Sequence, residues 1–513
     1  MGMRKTIIWG SLGFLLWASL SARNEDVWDR SVKKFSVMLS LIEQNYYRDV
    51  EADKLIYSSI RGMLETLDPH SYFLDPDNLS RMREEYTGKY YGLGIQIQKH
   101  GDSLVVIAPI EGTPASRLGI QSGDVISTID GESTKPLTSF DAMQKLRGPK
   151  GTRVTITIIR EGLDKPLELT IEREEILLHS VAYAFMLDDR TGYIFIRNFA
   201  ETTTEEFEQK MAELSGKGMK QLILDLRGNT GGPFFQSIAL SDEFLPRGDV
   251  IVSIKGRNKV YNREFRAQKD GQFEDIPLVI LVNRGSASAS EIVAGAIMDN
   301  DRGYVVGEDS WGKGLVQTVF PLGENLAVAL TTAKYFTPSG RSIQRDYEHI
   351  EDYMLYKRAP DDRREVRYTA RGRKVLGQGG IAPDYRVPSS LKNFTLELMT
   401  KGAFFNYARK FAARETGNST GSGGVSAAHN FVVGTSILED FKAYLRATKT
   451  DFDENRFKEA EAEIQRELER EIVSSHWGQE EGVRAYRKSD AVVLKALEIM
   501  PEASKFVAEI RSR

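Results

Sequence analysis

The hydrophobic periodicity of this 513-residue chain changes three times along its length, and these changes limit the folds open to it. Apolar residues recur at helical spacing in residues 24–86, alternate in short β runs in 88–173, follow a strand-then-helix pattern in 174–388, and return to helical spacing in 389–513. A single hydrophobic core stops growing well below this length. We therefore predict a multidomain α/β protein with an N-terminal helical cap, a small α+β domain, an α/β core and a C-terminal helical region.

Residues 1–22 have the layout of a signal peptide. Arg4 and Lys5 precede an apolar run at 7–20, which small residues and then polar residues follow. The run is shorter than the about 20 residues that span a bilayer. This predicts cleavage after about Ala22 and export to the periplasm or cell envelope. Leu20 is a poor residue three positions before the cut, so a permanent membrane anchor stays an alternative.

Charge and composition exclude several function classes. The chain has 69 basic and 73 acidic residues, a formal net charge of −4, and no basic run suited to phosphates, so nucleic acid is not an expected partner. It has no cysteine, which excludes disulfides and a thiol nucleophile. It has no His-Glu-x-x-His run and no phosphate-binding Gly-x-x-x-x-Gly-Lys-Ser/Thr loop, so we predict no metal and no cofactor.

One serine lies at the junction of a predicted buried strand, 276–282, and a predicted helix. The junction reads Asn-Arg-Gly-Ser-Ala-Ser-Ala-Ser-Glu, with Ser288 as the middle serine of three. Backbone N–H groups at the start of a helix have no helical partner and can stabilise an oxyanion. Ser288 and Glu291 also fit a capping box. On this segment alone, a purely structural role for Ser288 stays open.

A serine hydroxyl needs a base to become a good nucleophile. The six histidines of the chain all lie outside residues 180–348, the part that contains Ser288. Lys313 lies between two glycines and beside apolar residues, where burial would lower its pKa. Lys313 is therefore the candidate base, and a solvent-facing hairpin lysine is the structural alternative.

Several motifs in this order resemble the C-terminal processing peptidases, also called tail-specific proteases, over about residues 30–390. The matching motifs are the Ser-Ala-Ser-Ala-Ser-Glu run, the Gly-Lys-Gly turn at 312–314, Gln317, Asp-Leu-Arg-Gly-Asn-Thr-Gly-Gly at 225–232, and Gly-Gly-Ile-Ala-Pro-Asp at 379–384. Thr230 and Trp311 differ from the commoner residues of the family, but neither change removes a catalytic group.

The resemblance implies a role for each matching residue. Ser288 would be the nucleophile, Lys313 the general base, and Gln317 the residue that orients the lysine. The amides of Gly232 and Ala289 would form the oxyanion hole. Asp299 has been a candidate third member in such enzymes, but we expect a structural role for an aspartate at a helix end.

Residues 88–173 resemble a PDZ domain, on the glycine-rich runs at 92–95, 112–115 and 119–126. Consecutive amides at Leu93, Gly94 and Ile95 could hold a terminal carboxylate, while the neighbouring strand edge pairs with an extended peptide. Arg147 could bond to the bound peptide or to the protease core, or lie free at the surface. The expected partners are protein or peptide substrates with accessible C-termini.

The sequence thus predicts a serine endopeptidase that cleaves proteins near their C-termini through a Ser/Lys dyad. A catalytically inactive PDZ scaffold that binds protein C-termini is the main alternative. A β-lactam-binding enzyme would need a Ser-x-x-Lys helix, which is absent around Ser288, and a signal peptidase would need a lasting membrane anchor. Membrane contact is expected only through an uncleaved N-terminal segment, self-association of the chain stays open, and residues 417–424 have the composition of a flexible linker.

Overall fold

The computed structural model of the chain describes residues 25–160, 162–323, 325–357, 359–388, 391–415, 428–448, 450 and 452–510. The predicted signal segment and the predicted linker at 417–424 lie outside these residues. Within the described ranges, no helix is both long enough and apolar enough to cross a bilayer.

Helices and strands follow the predicted changes in periodicity. In chain order, the α-helices are α1 Glu25–Asn45, α2 Ala52–Glu65, α3 Pro76–Thr87, α4 Pro114–Arg117, α5 Ser139–Leu146, α6 Thr203–Gly216, α7 Phe234–Asp242, α8 Ala289–Asp299, α9 Ile350–Met354, α10 Asn393–Thr400, α11 Ala403–Glu415, α12 Thr435–Ala447, α13 Glu454–Trp477, α14 Gln479–Lys488 and α15 Ala491–Ile510. The strands are β1 Tyr72–Leu74, β2 Lys89–Gly92, β3 Ile95–His100, β4 Ser103–Pro109, β5 Val125–Ile129, β6 Glu132–Ser133, β7 Arg153–Ile159, β8 Leu167–Glu172, β9 Glu174–Leu177, β10 Val181–Met186, β11 Thr191–Ile196, β12 Gln221–Asp225, β13 Val250–Gly256, β14 Arg263–Arg266, β15 Leu278–Val282, β16 Tyr304–Gly307, β17 Leu315–Gly323, β18 Leu326–Phe336, β19 Val366–Tyr368, β20 Lys374–Leu376 and β21 Tyr385–Arg386.

The N-terminal region is more than a helical cap, because one of its segments enters a sheet of the core. β1 pairs antiparallel with β18, with Tyr72 opposite Ala329. The following helix, α3, begins sharply, since Asp75 accepts a hydrogen bond from the Asn78 N–H and Pro76 takes the first helical position. The pairing brings residues 68–71, which directly precede β1, close to Thr331 on β18.

The small α+β domain is an antiparallel sheet in the order β3-β4-β5-β7-β8, closed by α4 and α5. Along β7 the buried residues alternate with half-buried or exposed ones, as the period of two in its sequence predicts. β2 and β9 flank this domain in sequence and pair with each other outside its sheet. They connect the domain to its neighbours by a two-stranded ribbon.

The α/β core is built on a six-stranded sheet in the order β10-β11-β12-β15-β16-β21. All its pairings from β11 onward are parallel, which explains the near-continuous apolar sequence of β15, buried at all five positions. A second sheet, β1-β18-β13-β14 with β17 beside β18, lies in the same part of the chain. Helix α8 is buried along its whole length in the main core.

The C-terminal helices make their own apolar core and also cover the main sheet. Phe404, Tyr407 and Phe441 pack with residues of α13 in one cluster, whereas α15 packs Val493, Ala496 and other residues against one face of the six-stranded sheet. The observed layers confirm the predicted fold class. The domain limits read from the sequence stay predictions.

Candidate active site

Three loops meet at one edge of the six-stranded sheet. They follow β12, β15 and β16, and they hold residues 226–232, 283–288 and 308–314. Because the three strands are parallel, their carboxyl ends lie at the same edge, where sites of open α/β sheets form. The fold therefore brings the candidate nucleophile, base and oxyanion-hole residues to one place.

Ser288 occupies a strained turn between β15 and α8. Its φ angle is +55°, a left-handed conformation that costs a non-glycine residue about 1–3 kcal/mol and often marks functional sites. Its two neighbouring serines are buried anchors: Ser286 Oγ donates to the Leu226 carbonyl at 2.7 Å, and Ser290 Oγ donates to the Asn229 carbonyl at 2.9 Å. Of the three serines, Ser288 is the half-buried one that remains accessible.

Glu291 joins the turn of Ser288 to the loop of Lys313. One carboxylate oxygen, Oε2, accepts the backbone N–H of Ser288 at 2.8 Å and that of Lys313 at 2.9 Å. The other, Oε1, accepts the Gly312 N–H at 2.7 Å and the Ser310 hydroxyl. Burial raises the pKa of Glu291, while these four donors favour its charged form. The glutamate half of the expected capping box, the bond from the Ser288 N–H to Glu291, is present, and the same carboxylate also holds the second loop.

Tyr335, on β18, makes a second connection between the two loops. Its hydroxyl donates to the Lys313 carbonyl and lies 3.3 Å from the Ser288 carbonyl. The ring is buried in the main core. The backbones of Ser288 and Lys313 are therefore held together from both sides.

Lys313 is half-buried, and burial lowers the pKa of its ammonium group below the usual 10.5. The negative charges of Glu291 and Asp68 act in the opposite direction. A lysine with a lowered pKa can lose its proton and accept one from a nearby hydroxyl. The environment of Lys313 is therefore suited to a general base.

Two side chains from the N-terminal region, Asp68 and His70, lie close enough to Lys313 to interact with it electrostatically. Asp68 Oδ1 accepts the Thr331 hydroxyl at 3.0 Å. Burial and then the charge of Lys313 lower the pKa of His70 to about 4, so its imidazole is neutral at pH 7. Its Nε2 lies 2.7 Å from the hydroxyl of Tyr353. Sequence reasoning set the histidines aside because they lie outside the core segment, and only the pairing of β1 with β18 brings His70 here.

Trp311, which differs from the commoner residue of the resembled family, is integrated into the same loop. Its indole N–H donates to the Tyr353 hydroxyl at 3.0 Å, and the Arg345 guanidinium lies 4.7 Å from its ring centroid. The indole ring of Trp311, two residues before Lys313 in the same loop, is therefore held by Tyr353 and Arg345.

Gln317 lies on β17, and its amide nitrogen donates to Thr331 Oγ1 at 3.2 Å. Among the described residues, the structure gives this amide no hydrogen bond to Lys313. Thr331 in turn donates a hydrogen bond to Asp68, whose negative charge raises the pKa of Lys313. The orienting role that the resemblance implies for Gln317 stays a prediction.

The loop at 228–232 packs directly against Ser288. A Cβ atom added at Gly231 would lie 2.9 Å from Ser288 Cβ and 3.1 Å from the Ala289 nitrogen. Gly232 has a φ of +152°, and a Cβ atom there would lie 2.1 Å from the Phe199 carbonyl oxygen. Only glycine allows this approach. The loop that ends at Gly232 therefore lies against Ser288 and Ala289, and the oxyanion-hole role of the Gly232 and Ala289 amides stays a prediction.

Asp299, at the end of α8, has a structural environment. Its carboxylate lies 2.7 Å from the Arg341 guanidinium, and both side chains are fully buried. It also accepts the hydroxyl of Ser339. These contacts with Arg341 and Ser339 are consistent with the structural role expected for Asp299.

The small α+β domain has a groove of about 280 Å³ beside its glycine-rich loop. Leu93, Gly94 and Ile95 line it together with residues of α5. Gly94 has a φ of +77° and packs on Thr113, so a side chain at this position would collide with Thr113. Burial raises the pKa of Tyr90, and a backbone hydrogen bond from Gly94 is among the smaller influences on its hydroxyl.

Arg147 follows α5 at the edge of this groove. Its Nη1 lies 2.7 Å from Glu84 Oε2 on α3, and its guanidinium stacks 4.3 Å from the Tyr90 ring centroid. Arg147 therefore connects the groove to the N-terminal region. The sequence did not indicate its partner, Glu84.

Three family models match segments of this chain. The family described as Peptidase family S41 matches residues 190–352, a PDZ domain matches 92–171, and the Activating protease CtpB N-terminal domain matches 18–78. Among solved structures, the photosystem II D1 C-terminal processing protease is 29% identical, and the match covers 70% of this chain and 88% of that one with a TM-score of 0.37.

Two curated relatives carry the family assignment. The carboxy-terminal-processing protease of Bartonella bacilliformis is 39% identical over 330 residues, 64% of this chain and 75% of that protein. The carboxy-terminal processing protease CtpA of Bacillus subtilis is 33% identical over 327 residues, 64% of this chain and 69% of that protein. This chain therefore belongs to the carboxy-terminal processing proteases of peptidase family S41 and carries a PDZ domain.

Proposed function

We propose that this protein cleaves protein substrates near their C-termini by nucleophilic attack of Ser288, with Lys313 as the general base. The observation that carries the proposal is the shared carboxylate of Glu291, which holds the backbones of Ser288 and Lys313 through one oxygen atom. The lowered pKa of Lys313 supports the proposed role.

The proposed reaction has two steps. In the first, the Ser288 hydroxyl oxygen bonds to the scissile carbonyl carbon while its proton moves to neutral Lys313. The amides of Gly232 and Ala289 stabilise the oxyanion that forms, and the C–N bond then breaks as Lys313 returns the proton to the leaving amine. In the second step, water attacks the acyl-enzyme with Lys313 again as base, and Ser288 is regenerated.

A covalent probe tests this assignment directly. We expect a fluorophosphonate to label the wild-type protein at Ser288, with the labelled site located by mass spectrometry of its peptides. The Ser288→Ala variant should take up no label, whereas Ser215→Ala, a change at an exposed serine of α6, should be labelled like the wild type. Label at another residue would contradict the assignment.

We propose that the PDZ groove selects substrates by their terminal carboxylate. The carboxylate would bond to the amides at Leu93, Gly94 and Ile95 and would displace the Tyr90 hydroxyl from Gly94. A substrate with an amidated C-terminus should therefore be cleaved about ten- to a hundredfold more slowly than the same substrate with a free C-terminus. This corresponds to the loss of a charge-assisted hydrogen-bond set of about 1.5–3 kcal/mol.

Arg147 is the residue we propose to sense the bound peptide, because it lies at the groove and holds Glu84 outside the PDZ domain. Arg147→Ala should slow cleavage of long substrates and leave labelling of Ser288 by a small probe unchanged. The matched control is Arg153→Ala, at an exposed PDZ arginine. If amidation has no effect and Arg147→Ala cleaves like the wild type, the groove does not gate cleavage.

The N-terminal segment carries two further proposals, export to the periplasm or cell envelope and self-association. Helix α1 exposes Trp28, Val32 and Phe35 at helical spacing, a face that a second copy of the chain could cover. N-terminal sequencing of protein purified from the cell envelope should give a start near Arg23, and sedimentation of the same sample should give about twice the mass of one chain, which is 57.7 kDa uncleaved. A start at Met1 would establish the membrane anchor, and a monomer would contradict self-association.

A further inference from the structure

The C-terminal helices meet the catalytic core in a buried cluster of charges. Arg487 and Asp490 come from the junction of α14 and α15, and Asp225 and Arg227 come from the end of β12 and the loop after it. Arg227 Nη2 lies 2.6 Å from Asp225 Oδ2 and 2.8 Å from Asp490 Oδ2. Arg487 Nη1 lies 2.9 Å from Asp490 Oδ2. Arg227 thus binds one carboxylate from the core, Asp225, and one from the C-terminal region, Asp490.

Tyr193 forms hydrogen bonds with two members of the cluster. Its buried hydroxyl donates to Asp225 Oδ2 at 2.6 Å and accepts from Arg487 Nε at 2.8 Å. The exposed fractions of the four charged side chains are 0% for Asp225, 9% for Arg227, 8% for Asp490 and 18% for Arg487. Removal of one member of such a cluster leaves a buried charge without its partner, which is strongly unfavourable.

The cluster is connected to the candidate oxyanion hole through the loop that Arg227 begins. The next residue, Gly228, donates its N–H to Asn283 Oδ1 at 2.8 Å. Asn229 accepts the Ala287 N–H at 2.9 Å, and Gly231 packs against Ser288. Because Asn229 and Gly231 contact the turn of Ser288, a displacement of Arg227 would move that turn as well.

We propose that Arg487 and Asp490 are positioning residues for the reaction, acting through Arg227 on the loop at 228–232. The proposal rests on the proposed function, in which Ser288 is the nucleophile and the Gly232 amide stabilises the oxyanion. It gives the C-terminal helices a part in catalysis, although the S41 family match ends at residue 352. Asp490 directly precedes α15, which packs against the sheet, and Arg487 lies on α14, whose Val483 packs against the same cluster.

The test is Asp490→Asn in the full-length protein. Asparagine has the same shape and can still accept the Val492 N–H, as Asp490 does, but it lacks the charge that holds Arg227. We expect kcat for a short peptide to fall about tenfold with KM within twofold, since contacts to substrate are unchanged. Labelling of Ser288 by the fluorophosphonate should slow by the same factor. Thermal unfolding of the same sample gives the folded fraction.

Two variants serve as controls. Glu498→Gln removes an exposed ion pair with Lys495 on the same helix, α15, and should keep wild-type rates. Asp490→Glu keeps the charge and should recover part of the lost rate, which a purely structural effect on packing would not predict.

If Asp490→Asn does not fold, Arg487→Lys decides the question, because it keeps the charge and loses the bond to Tyr193. Wild-type kcat and labelling in the folded fraction of these variants, with only a lower unfolding temperature, would overturn the inference and leave the cluster a stabilising role. Absence of label on Ser288 in the wild type would instead contradict the proposed function, so the two failures can be distinguished.

Discussion

Replacement of Ser288 or of Lys313 with alanine should each remove cleavage of an unfolded protein substrate. Lys313 takes the proton of the Ser288 hydroxyl in the proposed reaction, and a positioned base contributes about a hundred- to ten-thousandfold to the rate. The two residues act as one unit, so the double variant should be no slower than either single variant. Gel analysis of substrate cleavage over time measures all three rates.

The pH dependence of the wild type gives an independent check on the base. Lys313 acts only when neutral, so the labelling rate of Ser288 should rise with pH through the pKa of Lys313, which burial holds below 10.5. The matched control is Lys334→Ala, at an exposed lysine of β18, which should keep the wild-type rate and profile. Wild-type turnover by Lys313→Ala would remove Lys313 from the mechanism.

Glu291→Gln should reduce cleavage by at least about a hundredfold, a loss second to that of the dyad variants. The glutamine has the same shape, but its NH2 group cannot accept the backbone N–H groups that one carboxylate oxygen now accepts. If that group takes the place of Oε2, the amides of Ser288 and Lys313 lose their common acceptor. A buried donor without a partner costs about 1–3 kcal/mol, so both loops should move to find other partners. Initial rates on a peptide substrate and the unfolding temperature measure the two effects.

A second buried glutamate supplies the control for that experiment. Glu243 is 2% exposed and pairs with Lys269 at 2.6 Å, away from the three loops of the site. Glu243→Gln should lower the unfolding temperature and keep the rate of the folded protein. If Glu291→Gln behaves in the same way, Glu291 stabilises the fold without aligning Ser288 and Lys313.

Much of the fold and part of the site could be predicted because they depend on local patterns. Apolar spacing indicated the helical, β and α/β segments, since each period reflects which side of a helix or strand is buried. The glycine-rich runs indicated the PDZ loop and the loop at 225–232, where glycines adopt positive φ angles and allow close approach. The resemblance to a known family then singled out Ser288 and Lys313 from many serines and lysines.

Only the tertiary structure decided which distant groups act on those residues. Pairing of β1 with β18 brings Asp68 and His70 beside Lys313, and packing of α15 on the sheet brings Asp490 to Arg227. Such contacts leave no periodic trace in the sequence, because they depend on sheet order and on burial between segments far apart in the chain. For Glu291, the sequence determined a capping residue, whereas the meeting of two loops decided that its carboxylate also holds the lysine.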